Sequence, residues 1–222
     1  MKKILLSAAI AVMSFSTLSA QKSFEGSITY SINFDGSGLP PEAMDMLKGA
    51  ETTTYIKNEK RRVDMNMPMQ STSTYMNAKE KNIVTTMDIM GQKYLIRTSE
   101  ADIKKDQESQ PETIIKYTDE TKEIAGYKCK KAEITVKSKD GKEEIVTVFY
   151  TEKIPASELK SAFKGLKGFP LEYSMSQSGI KMKFFAKTVS KEKVADTKFE
   201  IPKEGYRETT LEELQKEMSG GQ

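Results

Sequence analysis

The sequence contains no histidine and no tryptophan, and its only cysteine is Cys129. Without histidine there is no usual general base near neutral pH, no histidine-based catalytic triad and no common zinc site. The sequence also has no glycine-rich phosphate loop, no Cys-x-x-Cys pair and no nucleophile elbow. We therefore predict a protein that is not an enzyme and that carries no cofactor and no metal.

A single cysteine excludes an intramolecular disulfide. We expect the Cys129 thiol to be buried, because free cysteine behaves as a small apolar side chain, although an exposed thiol that reacts with a partner is the alternative.

Long apolar runs are also lacking beyond the first twenty residues. Lys2 and Lys3 precede the apolar stretch Ile4–Phe15, and the small residues Ser19 and Ala20 follow it, which is the pattern of a secretory signal peptide cleaved near Ala20. No later segment is apolar enough to span a membrane. The expected division is a signal peptide at 1–20, a β domain at 21–207, and a C-terminal helix with a flexible tail at 208–222. We expect the mature protein in the periplasm or outside the cell.

Charge of one sign is not in excess. The chain has 35 basic and 32 acidic residues, and removal of Lys2 and Lys3 with the signal leaves a net charge of about +1. This balance gives no electrostatic basis for binding nucleic acid.

What the sequence does have is strand periodicity. Apolar and polar residues alternate from Phe24 to Phe34, and short alternating runs separated by turn residues continue along most of the chain. This predicts a mainly β protein with an antiparallel sheet or an open barrel. The later strands are expected at Thr52–Lys57, Arg61–Met67, Ser71–Asn77, Asn82–Ile89, Gln92–Thr98, Thr113–Tyr117, Glu123–Ala125, Tyr127–Lys137, Glu144–Tyr150, Leu171–Met175, Ile180–Val189 and Lys198–Ile201.

Short helices are expected at Glu42–Lys48 and between Pro155 and Lys167. Residues 101–113 are polar and are expected to form a loop. At the C-terminus, Thr210 with Glu213, or Thr209 with Glu212, fits a capping box that begins a helix ending near Met218.

The strand Tyr127–Lys137 changes its parity. Tyr127 and Cys129, at odd positions, are expected to face the core, and so are Ala132 and Ile134, at even positions. A β-bulge at Lys130–Lys131 would allow both pairs to face the core, because it shifts the alternation by one residue.

Methionine is the most unusual local feature, with Met65, Met67 and Met69 within five residues. Ordinary core packing is one interpretation, and a surface that adapts to varied apolar ligands is the other, because thioether side chains are flexible. A copper(I) site of soft sulfur ligands is a further, less favoured alternative. The residues expected to form the ligand-binding face are Val63, Met65, Met67, Ile83, Met87 and Ile89.

Three segments carry a family resemblance: residues 121–131 (TKEIAGYKCKK), the turn around residues 139–141, and residues 199–206 (FEIPKEGY) before the threonine-capped helix. Together they resemble an uncharacterised family of small secreted Gram-negative proteins, which is similar to the lipoprotein-carrier (LolA/LolB-like) superfamily. The resemblance implies an incomplete, half-open β-barrel, which is a curved antiparallel sheet whose concave side is closed by short helices. It also implies that a lipid-like molecule is carried or sensed in the concave space.

The sequence thus predicts an exported protein that binds an acyl chain, a lipid or a lipoprotein in a concave groove. The alternative is a non-enzymatic structural or interaction module of the cell envelope that has no small ligand.

Overall fold

Strands with alternating apolar and polar residues assemble into one open, curved sheet of twelve strands, with short helices on its concave side. The computed structural model describes residues 24–35, 40–67, 70–109, 112–137, 143–155, 163, 165–177 and 180–219. The strand order is β12-β6-β5-β4-β3-β2-β1-β11-β10-β9-β8-β7. The predicted fold class, a mainly β protein with an incomplete barrel, is confirmed.

The elements have the following bounds. The strands are β1 (Gly26–Asp35), β2 (Glu51–Lys57), β3 (Lys60–Met67), β4 (Gln70–Asn77), β5 (Asn82–Ile89), β6 (Gln92–Thr98), β7 (Glu112–Ile124), β8 (Tyr127–Lys137), β9 (Glu143–Thr151), β10 (Phe169–Gln177), β11 (Ile180–Ser190) and β12 (Arg207–Thr209). The helices are α1 (Pro41–Leu47), α2 (Glu100–Ser109) and α3 (Leu211–Ser219), with a 3-10 turn at Asp196–Phe199.

The sheet consists of two runs of neighbouring hairpins that meet at β1. Strand β1 pairs with β2 on one side and with β11 on the other, and every pairing is antiparallel except that of β12 with β6. Met90-Gly91 and Ala125-Gly126 each have positive φ at both positions, as tight hairpin turns require. Glycine supplies the second position of both turns without steric cost.

Strand register places one set of side chains on the concave face. Tyr30 of β1 lies opposite Thr52 of β2 and Ala186 of β11, so the parity of one strand fixes that of its neighbours. The main core cluster on this sheet includes Ile28, Tyr30 and Phe184.

Three segments cover the concave face. Ile103 of α2 packs against Met76 and Ile83, and Leu214 of α3 packs against Tyr94 and Ile96. Phe163 and Leu166 cover a third cluster, which strands β8 and β9 form. Helices α2 and α3 therefore each bury one apolar side chain against the open sheet.

The segment that follows β11 packs on the other face of the sheet, across strands β2 to β6. Tyr55, Arg62, Tyr75 and Val84 form a cross-strand row on that face. The Arg62 guanidinium donates to the Lys198 carbonyl at 3.1 Å, and the Lys198 ammonium lies 4.6 Å from the Tyr55 ring centroid. Residues 191–206 thus cross the sheet and bring the chain to the free edge of β6, where β12 forms.

Four local predictions need correction. In the segment expected to be a loop, residues 101–109 belong to α2 and residues 112 and 113 belong to β7. Ser99 caps this helix, because its Oγ accepts from the Asp102 amide at 3.1 Å. The two strands expected at Thr113–Tyr117 and Glu123–Ala125 are joined in the single strand β7, although its pairing with β8 breaks between Tyr117 and Thr121. The bulge lies in β7, where Thr118–Glu120 interrupt the pairing, and not at Lys130–Lys131. Lys198–Ile201 is not a strand, since its start belongs to the 3-10 turn.

Other predictions have mixed outcomes. Tyr127, Cys129, Ala132 and Ile134 are all buried, as the change of parity predicts. Most of the helix expected between Pro155 and Lys167 lies outside the described residues, as does the expected signal peptide. The capping box of α3 uses Thr210 and Glu213: the Glu213 amide donates to Thr210 Oγ1 at 3.1 Å, and the Thr210 amide donates to Glu213 Oε2 at 3.0 Å.

Candidate functional site

The six residues that the sequence singles out all lie on the concave face. Val63, Met65 and Met67 belong to β3, and Ile83, Met87 and Ile89 belong to β5. Strand β4 lies between them, and its Thr72 is opposite both Met65 and Met87. Because neighbouring strands are about 4.8 Å apart, the two methionine-bearing strands are separated by about 10 Å.

The six side chains do not form one cluster. Ile83 is buried in a cluster with Met76 and with Ile103 of α2, and Val63 packs against that cluster. Met87 and Ile89 pack against the cluster of Tyr94, Ile96 and Leu214. Met65 and Met67 instead pack at the margin of the main core cluster. Ile83 is therefore core, whereas the other five are only half-buried.

Polar side chains separate the two apolar rows. Gln70, Thr72 and Thr74 of β4 face the concave side and are half-buried. Thr85 of β5 joins them, with its Oγ1 3.4 Å from Thr74 Oγ1. The Gln70 amide donates to Thr72 Oγ1 at 3.2 Å. We call the half-buried residues of β3, β4 and β5 on this face that carry no charge the methionine patch: Val63, Met65, Met67, Gln70, Thr72, Thr74, Thr85, Met87 and Ile89.

The four polar members are the residues that sequence reasoning missed. Gln70, Thr72 and Thr74 have the inward parity of Met76, which is visible in the sequence once β4 is placed. The predicted ligand-binding face contained only apolar residues, so it did not include these four. Their side chains give the patch hydroxyl and amide groups between flexible thioethers, so its chemistry suits a molecule with both apolar and polar parts.

A cluster of three charged side chains lies on the other face of the sheet. Glu172 of β10 is buried and pairs with Lys122 and with Lys183, whose Nζ lies 3.0 Å from Glu172 Oε1. Burial by itself raises the pKa of this carboxyl, but its contacts with the two lysines outweigh burial and hold the pKa below its ordinary value. The Lys122 ammonium also lies 4.6 Å from the centroid of the Phe149 ring. The carboxylate is satisfied by these partners, and we assign it a structural role.

Two clefts lie beneath the segment that crosses the opposite face. The larger, of about 380 Å³, is lined by Leu95, Arg97, Ile201, Tyr206 and Glu208 among others. Arg97 and Glu208 form an ion pair across it, with 3.0 Å between Nε and Oε1. The smaller, of about 170 Å³, is also lined largely by polar side chains. Neither offers the apolar lining that a lipid-like molecule needs.

None of the helices in the described ranges combines the length and the apolar character that a membrane crossing requires. Among the same residues, no group of three or more cysteine, aspartate or glutamate side chains is placed to hold a metal ion.

Comparison with known proteins gives a fold likeness only. Two crystal forms of PNGF-II are similar in structure to this chain. The P21 form has a TM-score of 0.53 and 19% identity over 89% of this chain, and the C2 form has a TM-score of 0.51 and 18% identity over 87%. The chain spans about a third of the length of those structures, 34% and 32% respectively. No family model matches the sequence, and no curated protein does. The likeness therefore supports the β architecture and nothing about activity.

Proposed function

We propose that this chain is an exported, non-enzymatic protein that binds an amphipathic molecule, such as an acyl chain, a lipid or a lipoprotein, on its methionine patch. A periplasmic location and a kinship with the lipoprotein-carrier superfamily form part of the same proposal. The observation that carries it is the half-buried state of the patch. In contrast, Met76 and Ile83 are buried with Ile103, Tyr94 and Ile96 are buried with Leu214, and the apolar side chains of β8 and β9 are buried with Phe163 and Leu166.

The composition of the patch favours an amphipathic ligand over a purely apolar one. Met65, Met67 and Met87 provide flexible apolar contacts, whereas Thr72 and Thr74 provide hydroxyls between them. A buried methylene contributes about 0.8 kcal/mol, so a chain that buried about ten methylenes would gain roughly 8 kcal/mol. This corresponds to a dissociation constant near 1 µM before the cost of ordering the chain is included.

The test is titration of the purified protein with a fluorescent fatty-acid probe. Met67→Asp should weaken binding at least about tenfold, because a carboxylate in an apolar site is costly to desolvate. Met90→Asp is the matched control: Met90 is 76% exposed in the β5–β6 turn, where its φ of +51° is acceptable to aspartate. The control should bind the probe as the unmodified protein does.

A second variant separates binding from packing. Met65→Ala combined with Met87→Ala removes two thioethers from the patch, which should weaken probe binding while thermal melting changes little, because both side chains are only half-buried. A large loss of melting temperature, together with no probe binding by the unmodified protein, would show that the methionines are ordinary core.

A further inference from the structure

The sheet ends at β7, and no strand within the described residues pairs with the outer edge of β7. This strand is thirteen residues long. Unpaired backbone groups at such an edge can bind another strand. The other end of the sheet is β12, which has only three residues and leads directly into α3.

Only the first part of β7 has a regular edge. Residues Glu112 to Tyr117 pair with β8 without interruption, whereas the bulge at Thr118–Glu120 breaks the ladder. A bulge bends and twists its strand, so a second strand can extend over only about five residues before it.

Two isoleucines are exposed beside this regular segment. Ile114 of β7 is 58% exposed and Ile145 of β9 is 68% exposed. Thr135 of β8 lies directly opposite both, so the three form one cross-strand row. Ile115 faces the concave side, where it packs against the cluster of β8 and β9, and the row of Ile114 is therefore on the opposite face.

Charged rows flank this apolar row on either side. On one side, Glu112 lies opposite Lys137, which pairs with Glu143 at 3.1 Å. On the other side, Lys116 lies opposite Glu133, with 3.8 Å between Nζ and Oε2. At the edge of the sheet, the first row ends with the negative charge of Glu112 and the second row ends with the positive charge of Lys116.

We propose that β7 is a self-association edge, and that a second copy of this chain adds its own β7 in antiparallel orientation around a two-fold axis at Ile114. In this register the two Ile114 side chains lie opposite each other, and each Glu112 lies opposite Lys116 of the second copy. Both charged rows then continue across the interface with alternating sign. The apolar row becomes continuous from one Ile145 to the other.

The register follows from parity and charge. Residues opposite each other across a continuous sheet share a face, so the axis must pass through a residue and not between two residues. An axis at Thr113 or at Ile115 would place Ile114 opposite Glu112 or opposite Lys116 and would leave the charges unmatched. Only the axis at Ile114 pairs like apolar side chains and opposite charges together.

The decisive experiment is sedimentation equilibrium of the purified protein and of two charge variants. The unmodified protein should dimerise as its concentration rises towards about 1 mM, since a five-residue edge gives modest affinity. Glu112→Lys or Lys116→Glu alone places like charges opposite each other twice, which should weaken the dimer at least about tenfold. An equimolar mixture of the two variants restores both opposite-charge pairs and should dimerise again.

Controls with the same changes of charge are Glu42→Lys and Lys193→Glu, both at exposed positions distant in sequence from β7. They should dimerise like the unmodified protein, alone and mixed. Ile114→Ser, at an exposed position, should weaken the dimer without loss of the native circular dichroism spectrum. A protein that stays monomeric throughout this concentration range, or a mixture that fails to recover the dimer, would overturn the proposal.

Discussion

At the scale of single residues, Cys129 shows what burial does to reactivity. Its side chain is fully buried, and burial raises the pKa of the thiol to about 11, with Lys122 opposing and Glu172 adding to the rise. At pH 7 only about one molecule in 10⁴ would then carry a thiolate. We expect a thiol reagent to react at least about a hundredfold more slowly with the native protein than with the protein in urea. Equal rates in both states would mean that Cys129 is accessible.

Glu172 should make stability depend on pH. Its folded-state pKa is lowered, so its ion pairs stabilise the fold above the unfolded-state pKa of about 4.3, and that contribution is lost as the pH falls through the folded-state value. Glu172→Gln should lower the free energy of unfolding at pH 7 by about 1–2 kcal/mol, a modest figure because both lysines are partly exposed. The difference from the unmodified protein should shrink towards pH 3.

Urea unfolding at the two pH values measures this difference. Glu123→Gln, at an exposed carboxylate of β7, is the control. It should leave the free energy of unfolding unchanged at both pH values. A destabilisation by Glu172→Gln that is the same at pH 3 and pH 7 would contradict the assignment of the ion pairs.

The sequence correctly predicts on which face of the sheet a residue lies where strand alternation alone determines it. Strand alternation correctly places the six predicted residues on one face, and free cysteine is correctly expected inside. It does not reveal that Ile83 is covered while Met67 is half-buried, because that difference depends on where α2 lies. The position of Ile103 over the sheet is a long-range contact that no local pattern encodes.

At the scale of elements, the C-terminal helix acts as a cover for one end of the concave face. Leu214 is 3% exposed and packs against Tyr94 and Ile96. Leu214→Ala should lower the free energy of unfolding by about 2–4 kcal/mol and speed amide hydrogen exchange in α3. Leu211→Ala, in the same helix but at a 56% exposed position, should cost less than about 0.5 kcal/mol. Equal effects of the two variants would show that α3 is not docked through Leu214.

Local signals predict elements unevenly. Strands Asn82–Ile89, Gln92–Thr98 and Tyr127–Lys137 have the predicted bounds because each combines clear alternation with turn residues at its ends. Helix α2 is missed because its composition is polar, although Ser99 with Asp102 is a capping signal. Strand β12 has only three residues and pairs in parallel with β6, so its partner determines it and its own sequence does not.

At the scale of the whole molecule, an open sheet leaves both a partly exposed apolar surface and an unpaired strand edge. The concave face has a half-buried methionine patch between covered clusters, and β7 has a free edge within the described residues. The proposed ligand site and the proposed self-association edge use these surfaces separately. The exposed row of Ile114 and Ile145 lies on the face opposite the patch, so loss of one function should leave the other intact.

The most direct test of the central claim is native mass spectrometry of the protein purified from the cells that naturally produce it, without added lipid. We expect a fraction of the molecules to carry an added mass that activation in the gas phase releases as a lipid or an acyl-chain compound. The Met67→Asp variant should lose this added mass, and the Met90→Asp variant should retain it. If the unmodified protein has the bare mass of its polypeptide in every charge state, the methionine patch is not a lipid-binding site.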